Sequence, residues 1–193
     1  PTVGMVGIIE DAKHVTTQFF KQDGDVILLL GGLGGEMGAS HYLLVHGLKA
    51  GAPPRMDYGT EKQLHDALRA LIRIGLVQSA HDCAEGGIAV TVTESCLSGP
   101  RQFGAAIDFG ATGLRPEVLL FNESQSRAVI SVKKANAAAA IALLEWRGIP
   151  VQRLGSVNTS AELTITADGA THQWPLAQLH HAWADTIGDL MAG

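Results

Sequence analysis

Apolar residues change spacing several times along the chain, and each change marks a predicted element. Val3 to Ile9 and Asp25 to Leu30 are short apolar runs bounded by Gly and Asp, the pattern of buried strands, with Gly24-Asp25 as the turn before the second. A short helix is predicted around Ser40 to Leu48. From Thr60 to Gly75, Leu64, Leu68, Leu71 and Ile72 form one helical stripe that Thr60 can cap and Gly75 can end. Val77 to Ala80 reads as a short strand. Gly86 to Leu97 fits two periods: Ile88, Val90 and Val92 alternate as in a strand, whereas Ile88, Val92, Ser95 and Cys96 share a helical face, and the helix is adopted.

Further along, Phe103 to Phe109 and Arg127 to Val132 alternate as strands, and Ala135 to Arg147 is an alanine-rich helix stopped by Gly148. After Ile149-Pro150, Val151 to Val157 and Leu163 to Ala167 read as strands, with Asp168-Gly169 as a hairpin signal before Trp174. Leu176 to Met191 closes the chain as an amphipathic helix. Alternating helical and strand patterns predict an α/β fold, a mixed β-sheet covered by helices, with the late hairpin making the sheet mixed. There is no internal repeat and no Pro- or Ser-rich linker; Ala52-Pro53-Pro54 is a rigid turn, so one domain spanning residues 1–193 is expected. The chain opens at Pro1, and Pro1 to Ile9 reads like the middle of a strand entered from upstream, which predicts a domain of a longer protein.

Composition narrows the class. At 193 residues, with 46% hydrophobic and 17% charged positions, the chain is long enough for a sizeable core and lies outside the disordered range. The formal charge of −5, with no basic cluster beyond Lys133-Lys134, argues against nucleic acid and anionic membrane as partners. Cys83 and Cys96 fit no CxxC pattern, which predicts a reducing, cytoplasmic setting. The apolar run Val26 to Leu30 is far too short to span a bilayer.

Three segments concentrate chemistry. Gly31-Gly32-Leu33-Gly34-Gly35 follows an apolar strand and precedes a helix, the layout of a phosphate cradle, but it lacks the Lys-Ser/Thr of a P-loop and also suits a plain tight loop. In His81-Asp82-Cys83-Ala84-Glu85-Gly86-Gly87, Asp82 and Glu85 have the spacing of a capping box, and the N–H groups of Gly86 and Gly87 could meet an anion unhindered by a Cβ. Capping, with His81 bonding a carbonyl, is the structural alternative. A Cys83 nucleophile beside His81 lacks an orienting group, and no residues have metal-ligand spacing. In Phe121-Asn122-Glu123-Ser124-Gln125-Ser126-Arg127, a carboxylate, an amide, hydroxyls and a guanidinium could bind a ribose phosphate; an internal Glu123 to Arg127 ion pair is the alternative. The remaining histidines, His41 among them, read as surface or packing residues.

SAHDCAEGGIAV (Ser79 to Val90) and LLFNESQSRAVISVKK (Leu119 to Lys134) together resemble the last domain of the phosphoribosylformylglycinamidine synthase family. PTVGMVGIIED, GDVILLLG (Gly24 to Gly31), GLV (Gly75 to Val77) and the tail around Trp183 follow in the family's order, so the resemblance spans essentially the whole chain. It implies an ATP-dependent, magnesium-using ligase of purine biosynthesis that converts formylglycinamide ribonucleotide to its amidine with glutamine-derived ammonia. Such enzymes resemble two fused aminoimidazole-ribonucleotide-synthase-like units, and this chain matches the second α/β half. The catalytic histidine, the magnesium carboxylates and most nucleotide contacts then lie in upstream ATP-binding domains; the chain alone should hold no catalytic residue, bind no cofactor and be inactive. Glu123, Ser124, Gln125 and Arg127, with His81, Asp82, Glu85, Gly86 and Gly87, are the candidate lining of a substrate or nucleotide cleft. Large single-chain members place an acidic metal ligand where this sequence has Leu30, Gly31 and Gly32, so the resemblance is closer to the small multi-subunit type, whose partners are a separate glutaminase and a small bridging subunit. Aminoimidazole ribonucleotide synthase, selenophosphate synthetase and hydrogenase maturation proteins share the fold and are the alternatives, together with a non-catalytic docking module.

Overall fold

The computed structural model describes residue 4 and residues 6–192. Its centre is β1 (Val26–Leu30), every residue of which is buried. A strand covered on both faces needs apolar side chains pointing both ways, hence the unbroken run VILLL. Ile27 and Leu29 enter one core with residues of β3, β5 and β6, while Val26, Leu28 and Leu30 enter a second on the opposite face.

The other strands and the α-helices follow in chain order. They are α1 (His41–Val45), α2 (Tyr58–Arg73), β2 (Val77–Asp82), α3 (Gly87–Leu97), β3 (Gly104–Asp108), α4 (Pro116–Phe121), β4 (Ala128–Val132), α5 (Ala137–Trp146), β5 (Val151–Asn158), β6 (Glu162–Ala167), β7 (Ala170–Pro175), α6 (Leu176–His180) and α7 (Thr186–Ala192). The sheet runs β2-β4-β1-β5-β3-β6-β7. Ile88, Val92 and Cys96 of α3 and Leu119 of α4 pack on one face; Leu64, Ala67 and Leu71 of α2 and Ala140 and Leu144 of α5 pack on the other. The mixed sheet covered by helices is therefore the observed architecture.

Several expectations are corrected in detail. The sheet is mixed because β3 pairs parallel with β6, whereas the late hairpin β6–β7 is antiparallel like the other pairings. Among the described residues of the expected first strand, Gly4 and residues 6–9 form no strand, and Val6 and Ile8 are fully exposed; Val3 and Met5 lie outside the described residues. Helix α2 starts earlier than expected, because Asp57 is the cap, its Oδ1 accepting the Thr60 N–H at 2.7 Å. The C-terminal helix is interrupted by a π turn at His181–Asp185. Strand β2 runs on through His81 and Asp82, since both pair with β4.

Asp25, just ahead of β1, is 1% exposed and leaves Oδ2 without a hydrogen-bond partner. Burial pushes its pKa up, against the pull of the Lys133 and Lys21 charges. A carboxyl whose value is raised on folding holds its proton more tightly when folded, so its contribution to stability is greatest in acid and drains away as pH rises through the raised value. Asp25→Asn should therefore flatten the fall in stability that sets in as pH rises above about 4, the ordinary carboxylate value, measured by urea unfolding. In the same assay Leu29→Ala, which empties a fully buried site, should cost about 2–5 kcal/mol.

Candidate functional site

At one end of the sheet the pairing register sets three residues side by side: Leu30 at the end of β1, Ala128 at the start of β4 and Asp82 at the end of β2. The glycine loop after β1, the turn before α3 and the segment 122–127 before β4 must therefore meet. Their junction is organised by the polar residues of 122–127.

Arg127 is the deepest of these charged groups, 4% exposed. Its Nε donates to Ser124 O at 2.9 Å, one terminal nitrogen to Leu33 O at 3.0 Å and the other to Asn122 O at 2.7 Å. The planar fork thus fastens its own turn and the glycine loop at once. Burial pulls the guanidinium pKa down, opposed by Cys83 and Glu36 nearby. Asn122 reinforces the link, its Nδ2 donating to Leu33 O at 3.1 Å and Val118 O at 2.7 Å.

Ser124 Oγ accepts the successive N–H groups of Gly35 and Glu36, each at 3.1 Å. Glu123 Oε1 accepts the N–H of His41 at 2.8 Å and that of Gly86 at 2.9 Å, with His41 Nδ1 at 3.3 Å. One carboxylate oxygen therefore joins the start of α1 to the start of α3. Gly86 and Gly87 are required at this contact: both have positive φ, and a Cβ on Gly87 would meet Asn122 O at 2.5 Å. Ser126, at φ 59°, turns its hydroxyl to Glu61 in the first turn of α2.

The geometry corrects four readings of the sequence. Glu123 and Arg127 do not pair; Glu123 is drawn to backbone N–H groups and Arg127 to backbone carbonyls. Asp82 and Glu85 form no capping box, because the N-cap of α3 is Gly86 and Asp82 ends a strand with its side chain exposed. The N–H groups of Gly86 and Gly87 are not open to an external anion, being taken by Glu123 and by Ala84 O. His81 does not join the cluster: on the α3 face of β2 its Nε2 lies 2.8 Å from Glu94 Oε2, whose partner oxygen accepts the Trp183 indole N–H at 3.1 Å.

Cys83 offers no nucleophile, since burial raises its pKa against the pull of Arg127, and burial pushes Cys96 up to about 12. The junction thus gathers Glu123, Ser124, Arg127, Gly86 and Gly87, with Gln125 and Glu85 on its exposed rim and Asp82 beside it. His41, Glu36, Glu61 and Glu94 complete these networks. Their partners lie 13 to 88 positions away, so no local spacing pointed to them.

The description "AIR synthase related protein, C-terminal domain" matches residues 22–168, most of the chain and all of this junction. The chain belongs to that family. Similar curated proteins include the phosphoribosylformylglycinamidine synthase subunit PurL of Anaeromyxobacter sp. strain K, 40% identical over 97% of this chain and 25% of that protein. PurL of Thermus thermophilus is 38% identical over 99% of this chain and 26% of that protein. The chain spans about a quarter of the length of these relatives. Among solved structures, T. maritima PurL complexed with FGAR superposes with a TM-score of 0.76 at 20% identity, covering 87% of this chain and 30% of that one. The hydrogenase maturation protein HypE superposes with a TM-score of 0.57 at 19% identity, covering 82% and 54%. At these identities the structures establish the AIR-synthase-related fold.

Removing the Ser124 hydroxyl leaves the Gly35 and Glu36 amides without their acceptor. Ser124→Ala should remove about 1–3 kcal/mol of local protection, speeding hydrogen exchange at those two amides more than at Leu71, in the opposite core, whose exchange reports global unfolding. Equal acceleration at all three would mean that the loop has no local dependence on Ser124.

Proposed function

We propose that this AIR-synthase-related chain is one α/β domain of a longer phosphoribosylformylglycinamidine synthase, a ligase that uses ATP to convert formylglycinamide ribonucleotide to its amidine with glutamine-derived ammonia. The observation that carries this reading is the 40% identity to a PurL subunit along 97% of the chain. Upstream ATP-binding domains, a separate glutaminase and a small bridging subunit complete the proposed assembly. A cytoplasmic setting suits that chemistry, and no helix among the described residues is long and apolar enough to cross a membrane.

ATP and magnesium are read as ligands of the rest of the longer protein. Among the described residues no three His, Cys, Asp or Glu side chains converge to hold a metal by protein groups alone. Of the main-chain N–H groups that a phosphate could approach, those of Gly35 and Glu36 are taken by Ser124 Oγ and that of Gly86 by Glu123 Oε1. Both ligands are therefore assigned to the rest of the longer protein, and no chemical step is assigned to this domain.

What these residues contribute is shape. Glu123, Ser124 and Arg127 hold the glycine loop and α3 in fixed relation. Gln125, the exposed member of the segment, with its Nε2 donating to Glu123 O at 3.1 Å, is assigned to the ribonucleotide cleft. The test is the full-length protein assayed for ATP-dependent amidine formation with its glutaminase or with free ammonia. Activity is expected there and none from the 193-residue chain. Gln125→Ala should raise KM for the ribonucleotide roughly two- to tenfold, the worth of one hydrogen bond, with kcat nearly unchanged. An unchanged KM would leave the segment a scaffold only, and the absence of amidine formation in the full-length protein would sink the ligase reading.

A further inference from the structure

Among the described residues Ser126 is one of three other than glycine with positive φ, at 59°. For a residue with a Cβ that conformation carries a cost, and it persists only where the surroundings determine it. Two contacts determine it here. The Ser126 hydroxyl donates to Glu61 Oε2, and the Ser126 carbonyl lies so close over Gly31 that a Cβ there would meet it at 2.3 Å. Glu61 is firmly founded in turn. It lies in the first turn of α2, where a carboxylate suits the helix dipole, four positions after the Asp57 cap and three before Leu64, which is buried in the core. Its Oε1 lies 2.8 Å from His65 Nε2, one turn further along the helix.

The consequence falls on Gln125. Its two neighbours are tied in different directions, the Ser124 hydroxyl to the glycine loop and the Ser126 hydroxyl to α2. Held at both ends, Gln125 is left exposed, with Nε2 on Glu123 O and with Oε1 making no hydrogen bond among the described residues. We infer that Glu61 is a positioning residue of the ribonucleotide cleft: by holding Ser126 in its left-handed conformation it fixes the direction in which Gln125 presents its amide. The inference rests on the reading of Gln125 given above. Glu61 itself touches no ligand, since its two oxygens are engaged by Ser126 and His65. The role calls for an acceptor rather than a charge, because the Ser126 hydroxyl donates, and an amide oxygen in the same place can also receive it. A brace that only stabilised the fold would lower the amount of active protein, and so kcat, whereas a positioning brace shows in KM.

The experiment is steady-state kinetics of the full-length protein with ammonia as nitrogen donor and formylglycinamide ribonucleotide varied. The variants are Glu61→Ala, Glu61→Gln, Ser126→Ala, Gln125→Ala and the double variant Glu61→Ala/Gln125→Ala. Glu61→Ala and Ser126→Ala should each raise KM about two- to fivefold with kcat nearly unchanged, while Glu61→Gln stays within about twofold of the unsubstituted protein. The double variant should have a KM no higher than that of Gln125→Ala alone, because the direction of an amide no longer counts once the amide is gone. An unchanged KM in Glu61→Ala beside a raised one in Gln125→Ala would overturn the inference and leave the cleft reading standing. So would a loss confined to kcat, a double variant in which the two effects multiply, or a Glu61→Gln protein as impaired as Glu61→Ala. An unchanged KM in Gln125→Ala removes the cleft reading and the inference with it, and a full-length protein that forms no amidine removes the ligase reading and both of these.

Discussion

The burial of the Arg127 guanidinium among three main-chain carbonyls is the constraint on which this end of the molecule depends. A cation taken out of water needs its donors satisfied, and here Leu33, Asn122 and Ser124 supply the acceptors in place of a carboxylate. Because Leu33 belongs to the glycine loop and the other two to the turn before β4, satisfying Arg127 and joining two distant segments are one event. The arrangement works only with a planar fork: an ammonium at the same depth could not reach three carbonyls on different sides.

Around that anchor, the segment 122–127 places its own side chains where the neighbouring backbones would accept an anion. Glu123 stands at the start of α3 and Ser124 at the N–H groups of the glycine loop. A sequence pattern suggestive of ligand binding is thereby turned inward. The chemistry is real, but its recipients are N–H and C=O groups of the same chain. What stays available at the rim is Gln125, Glu85 and Asp82. This suits a segment whose work is to hold its own neighbouring backbones in place.

His81 shows how a single strand residue can leave one network for another. With β2 extended to Asp82, alternation places His81 on the same face as Ser79, whose hydroxyl meets that of Ser131 in the sheet. From there its imidazole reaches Glu94, and through Glu94 the Trp183 indole, so the residue ties β2 and α3 to the C-terminal helical segment. Its place in the strand, rather than in the turn that follows, is what keeps it apart from Glu123.

Hydrophobic period was enough to locate most of the elements, including the helix at 87–97, whose strand-like alternation of Ile88, Val90 and Val92 is overridden by the burial of Ile88, Val92 and Cys96 on one helical face. The unbroken run of β1 likewise announced a strand covered on both sides, and two motifs in order announced the family. These are properties of neighbouring residues, which local propensity and patterning encode. The parallel β3–β6 pair, the engagement of Glu123, Ser124 and Arg127 with backbone groups, and the removal of His81 to Glu94 are contacts between segments far apart in the chain. Sequence specified which side chains had hydrogen bonds and charge to offer; the tertiary structure decided the recipients, because a buried polar group takes the partner that the fold brings within reach, and that partner is set by register and packing over the whole sheet.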